Sequence, residues 1–290
     1  MGQYSIKELE KLSGIKAHTI RIWEKRYALI SPSRTATNIR FYSDKDLKKI
    51  INVAAINGAG IKISRIAQYS DSELNGIVSQ QIDKGIEIAP MDQLVVAMVD
   101  LDEPVFEKVL SRLTLKIGFE ELIVKVVYPF LEKIGILWQT GNITPAQEHF
   151  ISNLIRQKLI VAIDKLPFPG RKAHKAVLYL PENEYHEIGL LFDNYLARSQ
   201  GIKTIYLGQS VPYPDLKNVV ETHHPKFIIT SMITPVHSHQ LHVYLEKLSR
   251  DFSEQTILIS GRAIQPSDLK NTPNIRHFGS ARGLKDLLSS

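Results

Sequence analysis

The chain has 290 residues, 43% hydrophobic and 23% charged, enough apolar material for about two or three compact domains, which excludes a disordered chain. It has no cysteine, so a disulfide framework, a thiolate zinc site and a cysteine nucleophile are all excluded, and any metal must be held by histidine, carboxylate or a cofactor. The net charge of +6 lies wholly in residues 1–78, which hold 13 of the 36 basic and 7 of the 30 acidic residues and leave 23 of each to the rest. A basic segment ahead of a neutral body suits a polyanion-binding module or a solvated basic surface, and charge alone does not choose between them.

At the N-terminus, Lys7, Glu8 and Glu10 stand where a secretory signal is apolar, and no apolar run approaches the roughly 18 residues that cross a bilayer. The expected location is therefore the cytoplasm, with no membrane partner. Ser5-Ile6-Lys7-Glu8 forms a capping box, and Ile6, Leu9 and Leu12 follow at helical spacing to about Ser13. Gly14 supplies a turn before a second helix over 17–26, with Ile20 and Trp23 on one face and Lys16, His18, Arg21 and Lys25 more exposed. Pro32, Arg34 and Asn38 lead into Arg40-Phe41-Tyr42, an extended wing, and Ser43 with Asp46 caps a further helix whose buried stripe is Leu47, Ile50, Ile51 and Ala54. This is a helix-turn-helix with a basic second helix.

The stretches R-I-W-E-K-R-Y at Arg21 to Tyr27, P-S-R at Pro32 to Arg34 and R-F-Y-S-D-K-D-L at Arg40 to Leu47 resemble the winged-helix DNA-binding domain of MerR-type regulators. The resemblance implies a double-stranded DNA operator as partner. It places Lys16, His18, Thr19 and Arg21 toward the major groove, and Arg34, Arg40 and Tyr42 toward phosphates and the minor groove. Trp23 and Phe41 are expected in the core, and the arginines read either as DNA contacts or as surface pairs such as Arg21 with Glu24.

Residues 79–89 are mixed and polar, a linker candidate. From 90 to 168 the periodicity predicts four helices, over 94–101, 105–115, 122–138 and 145–166, and hence a bundle. Thr144-Pro145-Ala146-Gln147 caps the last helix firmly, so Glu148 and His149 lie in its first two turns, near Trp138. An indole, a carboxylate and an imidazole at one corner suit a flat organic ligand, or else a core Trp beside two surface residues.

Beyond Pro169-Gly170 the pattern alternates. Short apolar runs at 176–180, 204–207, 227–230, 257–260 and 275–278 separate helical stretches near 187–200, 213–222, 238–251, 264–270 and 281–288. That predicts an α/β, doubly wound, flavodoxin-like parallel sheet of five strands over 172–290, with its ligand beyond the carboxyl ends of the strands. The first such loop holds Glu184, His186 and Gly189: a candidate metal-ligating imidazole, a carboxylate able to fix its tautomer, and a residue that lets a bulky ligand approach. A lone loop histidine is equally a solvated side chain. The dinucleotide G-x-G-x-x-G and the phosphate-binding Gly-Lys-Thr loop are absent from this half, which argues against a nicotinamide or ATP enzyme.

E-x-H-x-x-G resembles the cobalamin-binding module of corrinoid-dependent proteins, whose histidine is the lower cobalt ligand. That likeness makes His186 the ligand to the cobalt of cobalamin. It makes Leu207 to Pro212, with Ser210, the second-strand loop, and Thr230 to Thr234 the counterpart of S-x-L-x-T, with Thr230, Ser231 and Gly261 near the nucleotide tail. With W-x9-E-H at Trp138, Glu148 and His149, the whole chain is similar to the cobalamin-binding light-dependent repressors of the CarH and LitR type. The resemblance implies a regulator, not an enzyme, that binds adenosylcobalamin or methylcobalamin and works as a homo-oligomer, dimer or tetramer. In those photoreceptors a histidine follows the cap tryptophan; here it is Gln139, which cannot bind cobalt in the same way. A regulator using the same fold for another ligand or a partner protein is the alternative expectation, and a corrinoid carrier or enzyme a third.

Overall fold

The computed structural model describes residues 3–35, 38–58, 60–74, 76–77, 90–139 and 143–289, the side chains of 136–139 excepted. The expected linker over 79–89 lies outside the described residues. Two compact units are formed, Met1–Leu154 and Ile155–Ser290.

The first unit opens with β1 (Gln3–Tyr4), α1 (Ile6–Ser13), α2 (Ala17–Tyr27), β2 (Ser33–Arg34), β3 (Arg40–Ser43), α3 (Asp44–Gly58) and the short α4 (Ile63–Ile66). The capping box starts α1 as the sequence indicates, with Ser5 N–H donating to Glu8 Oε2 at 2.6 Å, and Gly14 ends it at φ +72°. Leu9, Leu12, Ile20, Trp23, Leu47 and Ile50 are buried together beneath the turn. β3 is the middle strand of a three-stranded sheet, pairing antiparallel with both β1 and β2. Asp46 Oδ2 accepts from Ser43 N–H at 2.8 Å, so α3 starts on the expected cap.

The same unit continues into a helical bundle: α5 (Pro90–Asp100), α6 (Glu103–Ile117), α7 (Phe119–Leu122), a π turn over Ile123–Val127, α8 (Tyr128–Gln139) and the start of α9 (Pro145–Asp164). The π turn joins α7 to α8, so the single predicted third helix carries one widened turn. Phe106 and Phe130, both fully buried, meet at 6.2 Å between ring centroids. Thr144 and Gln147 cap α9 reciprocally, Gln147 Oε1 accepting from Thr144 N–H at 3.0 Å.

The winged helix-turn-helix and the bundle touch inside this unit. Lys133 Nζ on α8 donates to the Leu12 carbonyl at the end of α1, 2.8 Å away, and Lys48 on α3 pairs with Asp100 on α5 at 2.6 Å. Lys133 is partly buried, which pushes its ammonium pKa down, and the nearby Asp92 is pushed up to about 6 by burial, against the opposing pull of the Lys133 charge.

The second unit is a five-stranded parallel sheet in the order β5-β4-β6-β7-β8, built from β4 (Lys175–Pro181), β5 (Lys203–Val211), β6 (Phe227–Ser231), β7 (Thr256–Ser260) and β8 (Ile275–His277). The intervening helices are α10 (Glu187–Ser199), α11 (Tyr213–His223), α12 (Ser238–Asp251) and, at the end, α13 (Ala281–Ser289). The helix expected over 264–270 is reduced to a 3-10 turn at Pro266–Leu269, because Pro266 removes a donor and Gln265 and Asp268 cap so short a span. Val177, Tyr179, Ile228, Leu245, Ile257 and Ile259 are buried between sheet and helices. With β4 in the interior of the sheet and β5 and β6 on its two sides, the switch point lies at the end of β4.

Candidate functional site

On α2 the apolar side is filled by Ile20 and Trp23, which turns Lys16, His18, Arg21, Lys25 and Arg26 outward as exposed side chains. Lys16 pairs with Glu10 at 3.1 Å, and the half-exposed Thr19 hydroxyl lies 3.3 Å from His18 Nε2. Arg34 and Arg40 are exposed on the wing, Arg34 contacting Asn38 Oδ1 at 2.5 Å and Arg40 lying 3.6 Å from Glu24. Tyr42 corrects the expectation. It is fully buried opposite Tyr4 across the β1–β3 ladder, and its hydroxyl donates to Glu24 Oε2 at 3.1 Å, so it supports the wing instead of meeting a phosphate. Burial, then the Glu24 charge, push the Tyr42 phenol up to about 12. The period of two in β3 is the reason: with β1 on its flank, alternate residues point into the core, and Phe41 is only half-buried.

In the bundle, Trp138 and Gln139 belong to the end of α8, their side chains lying outside what is described. Glu148 and His149 stand in the first turns of α9, His149 Nδ1 3.0 Å from Glu148 Oε2, and Ser152 donates to Glu148 Oε1 at 2.5 Å.

In the second unit the turn after β4 carries a buried carboxylate with many donors around it. Glu184 is 4% exposed. Its Oε2 accepts from the backbone N–H groups of Ile233 and Thr234, both at 2.8 Å. Its Oε1 faces the N–H groups of Tyr185 and His186 at 3.0 and 3.1 Å, the Thr234 hydroxyl at 3.2 Å and His186 Nδ1 at 2.5 Å. Burial works to raise the Glu184 pKa, but the donors of Thr234, His186 and Ile233 outweigh it and hold the carboxyl at about 2. An ionised Glu184 makes Nδ1 the protonated nitrogen, so His186 keeps Nε2 as a free lone pair on an exposed ring. His186 is the residue immediately before α10, and a Cβ added at Gly189, in its first turn, meets nothing within 4 Å, so the backbone face there is open to a bulky group.

The neighbouring strand ends complete the site. Ser210 takes the Asn183 N–H on its hydroxyl and donates its own N–H to the Glu184 carbonyl, both at 3.1 Å. The segment 207–211, expected as a loop, is instead the end of β5; Gly208 at φ +82° and Ser210 at φ +52° let the strand shift register twice and still pair with Pro181. Thr230 and Ser231 are buried at the end of β6, and Thr230 Oγ1 has no hydrogen-bond partner of acceptable geometry although it lies close enough to Tyr179 to act on its ionisation. A buried hydroxyl without such a partner, near the end of β6, suits an incoming polar ligand group. Gly261, at φ +104°, lets the β6 and β7 loops close on each other, with Met232 N–H donating to Ser260 O and Ala263 N–H to Met232 O; a Cβ there overlaps the Met232 backbone. These features fit a corrinoid: one imidazole nitrogen able to ligate a metal, a carboxylate behind it, and no competing cluster of three metal-binding side chains among the described residues.

Sequence reasoning missed Glu187, which accepts from Tyr206 Oη at 3.0 Å and from Arg156 Nε at 2.8 Å, and, although it placed Thr234 in the S-x-L-x-T counterpart, it missed that this residue supplies two donors to Glu184. No local signal marks these pairings, because each partner is distant in sequence.

A basic winged helix-turn-helix, a helical bundle and a doubly wound sheet with a backed histidine at its switch point together define a ligand-responsive DNA-binding protein. Residues 4–73 match the family "MerR HTH family regulatory protein" and residues 91–162 the "B12 binding domain" family. The chain is 30% identical over 241 residues to the HTH-type transcriptional repressor CarH of Myxococcus xanthus, which covers 79% of each chain. It is 24% identical over 259 residues to the repressor CarA of the same organism, covering 88% of this chain and 85% of that one. Among solved structures, the monomethylamine corrinoid protein of Methanosarcina barkeri superposes with a TM-score of 0.57 at 14% identity, over 68% of this chain and 96% of that one, a likeness of fold. The chain belongs to the CarH-like MerR-type regulators that carry a B12-binding domain.

Proposed function

We propose that this chain is a transcriptional repressor whose hold on its operator is set by cobalamin. The observation that carries the reading is the Glu184–His186 pair: a carboxylate fixed by four backbone N–H groups orients an imidazole whose Nε2 is left for a metal. When bound, cobalamin would supply a cobalt centre able to take an imidazole nitrogen and, with an adenosyl or methyl group, a light-sensitive cobalt–carbon bond. His186 would hold the cobalt, Gly189 would give room for the ring, and Ser210, Thr230, Ser231 and Gly261 would line the path of the nucleotide tail. Trp138, Glu148 and His149 serve ligand binding from the bundle. The working segments are 1–78 as reader, 79–89 as linker, 90–168 as cap and 172–290 as cobalamin module.

DNA contact falls to Lys16, His18, Thr19, Arg21, Arg34 and Arg40, and affinity falls steeply with salt because lysine and arginine displace counterions from phosphates. Pairing of two readers matches a two-fold operator, so a homodimer or tetramer is the DNA-competent form and assembly the point of control. The chain acts by binding, not turnover. No helix among the described residues is long and apolar enough to cross a membrane. As a DNA-binding regulator the chain works in the cytoplasm.

The test is to purify the full chain in darkness with adenosylcobalamin, record its spectrum, size and operator binding, then illuminate and repeat. The expected result is a red protein whose assembly and DNA binding depend on the ligand, with colour and ligand dependence lost in His186→Ala. Light-driven loss of assembly would extend the reading to photoreception with Gln139 in place of an imidazole. A colourless protein that still binds its operator overturns the cobalamin reading and leaves a regulator with another signal.

A further inference from the structure

The solvent face of α2 is not uniformly polar. Ile22 lies 51% exposed in its middle, with His18 one turn before it and Arg21 and Lys25 beside and after it, at the i+3 and i+4 spacings that make one continuous patch. The buried side of the helix is already occupied by Ile20 and Trp23, so Ile22 has no place in the core. The exposed cations Arg21, Lys25 and Arg26 around it disfavour an apolar protein surface as its occupant and favour a polyanion. The edges of base pairs in the major groove offer one apolar feature, the 5-methyl group of thymine. A β-branched side chain on a helix is held in essentially one rotamer, so Ile22 presents its methyl groups at a fixed position and loses little entropy on contact.

We propose that Ile22 is a specificity-determining residue that packs against the 5-methyl group of a thymine in each operator half-site. Arg21 and Lys25 supply affinity around it, and Ile22 discriminates. The inference rests on α2 being the DNA-reading helix.

The experiment uses the full chain, loaded with adenosylcobalamin in darkness, to select duplexes from a pool with a random core of roughly two helical turns. The selected duplex is then resynthesised with deoxyuridine replacing one thymidine at a time, which deletes a methyl group and nothing else. Binding of the wild type is expected to weaken about fourfold at one thymine per half-site, the loss that goes with unburying a single methyl. Ile22→Ala is expected to bind the thymidine and deoxyuridine duplexes equally, and Ile22→Val to keep most of the difference; helical circular dichroism unchanged from wild type shows that both variants fold. Wild-type binding indifferent to deoxyuridine at every position, or an undiminished penalty in Ile22→Ala, overturns the proposal while leaving DNA reading intact. No selected sequence and no duplex binding at all overturns the reading of α2 itself, and the proposal with it.

Discussion

Two glutamate–histidine pairs in this protein use the same groups and differ in everything around them. Glu148 and His149 sit on the open start of α9, 3.0 Å apart, the carboxylate side chain 33% exposed. Glu184 and His186 sit in the turn after β4 at 2.5 Å, the carboxylate side chain 5% exposed and bound by four backbone N–H groups. An exposed pair must order two side chains against water for a small net gain, whereas the buried carboxylate has its position settled by the fold before the imidazole arrives. The comparison teaches that the precision of a histidine ligand resides less in the imidazole than in what holds its carboxylate partner.

The largest expected effect tests the frame behind the buried pair. Gly261→Ala places a Cβ into the Met232 backbone at φ +104° and so disturbs the loop whose Ile233 and Thr234 N–H groups hold Glu184. Chemical denaturation is expected to show a loss of about 4 kcal/mol, from strain plus overpacking. Unchanged stability would mean that the β6 and β7 loops need no such closeness.

Next comes the carboxylate itself. Glu184→Gln is expected to cost about 3 kcal/mol above pH 5 and to lower cobalamin affinity on the order of 10- to 100-fold, read by spectral titration. The folded pKa of about 2 lies below the ordinary 4.5, so this stability is fully present above about pH 4.5 and disappears as the pH falls toward 2. Wild type and variant should therefore converge in acid. A gap that persists to the lowest pH would assign the loss to packing and not to charge.

Asp193 inverts the sign. Buried on α10 and pushed up to about 8 by desolvation, it is neutral in the fold at pH 7. Stability is then expected to fall as the pH rises from about 4 to 8, and Asp193→Asn to remove that slope, gaining on the order of 2 kcal/mol over wild type at pH 8. Parallel curves for the two proteins would show that Asp193 is ionised in the fold.

The smallest effect belongs to the exposed pair. Glu148→Gln is expected to change stability by no more than about 0.5 kcal/mol, with thermal unfolding within a degree or two of wild type. A loss comparable to that of Glu184→Gln would erase the distinction between the two pairs.

How much of this was legible in advance varies with sequence separation. The Ser5–Glu8 and Thr144–Gln147 caps, the helix-turn-helix and the placement of His186 after β4 rest on signals a few residues long and are found where the residues put them, as is the strand–helix alternation apart from the helix expected over 264–270 and the loop expected over 207–211. Tyr42 misled because a tyrosine after an arginine on a wing carries no mark of which face it takes. That was decided by β1, nearly forty residues earlier, whose Tyr4 lies opposite Tyr42 in the ladder.

By itself the sequence determined the order of the modules, the basic face of α2 and the residue types available at each strand end, since these depend on composition and local period. Only the tertiary structure decided that Glu184 is held as a carboxylate by four backbone N–H groups, that Thr230 is buried, that β5 runs on through Gly208 and Ser210, and that Ile22 is left in solvent. The physical reason is that charge state and exposure are set by desolvation and by donors such as Ile233 and Thr234, 49 and 50 residues from Glu184, which no local pattern encodes.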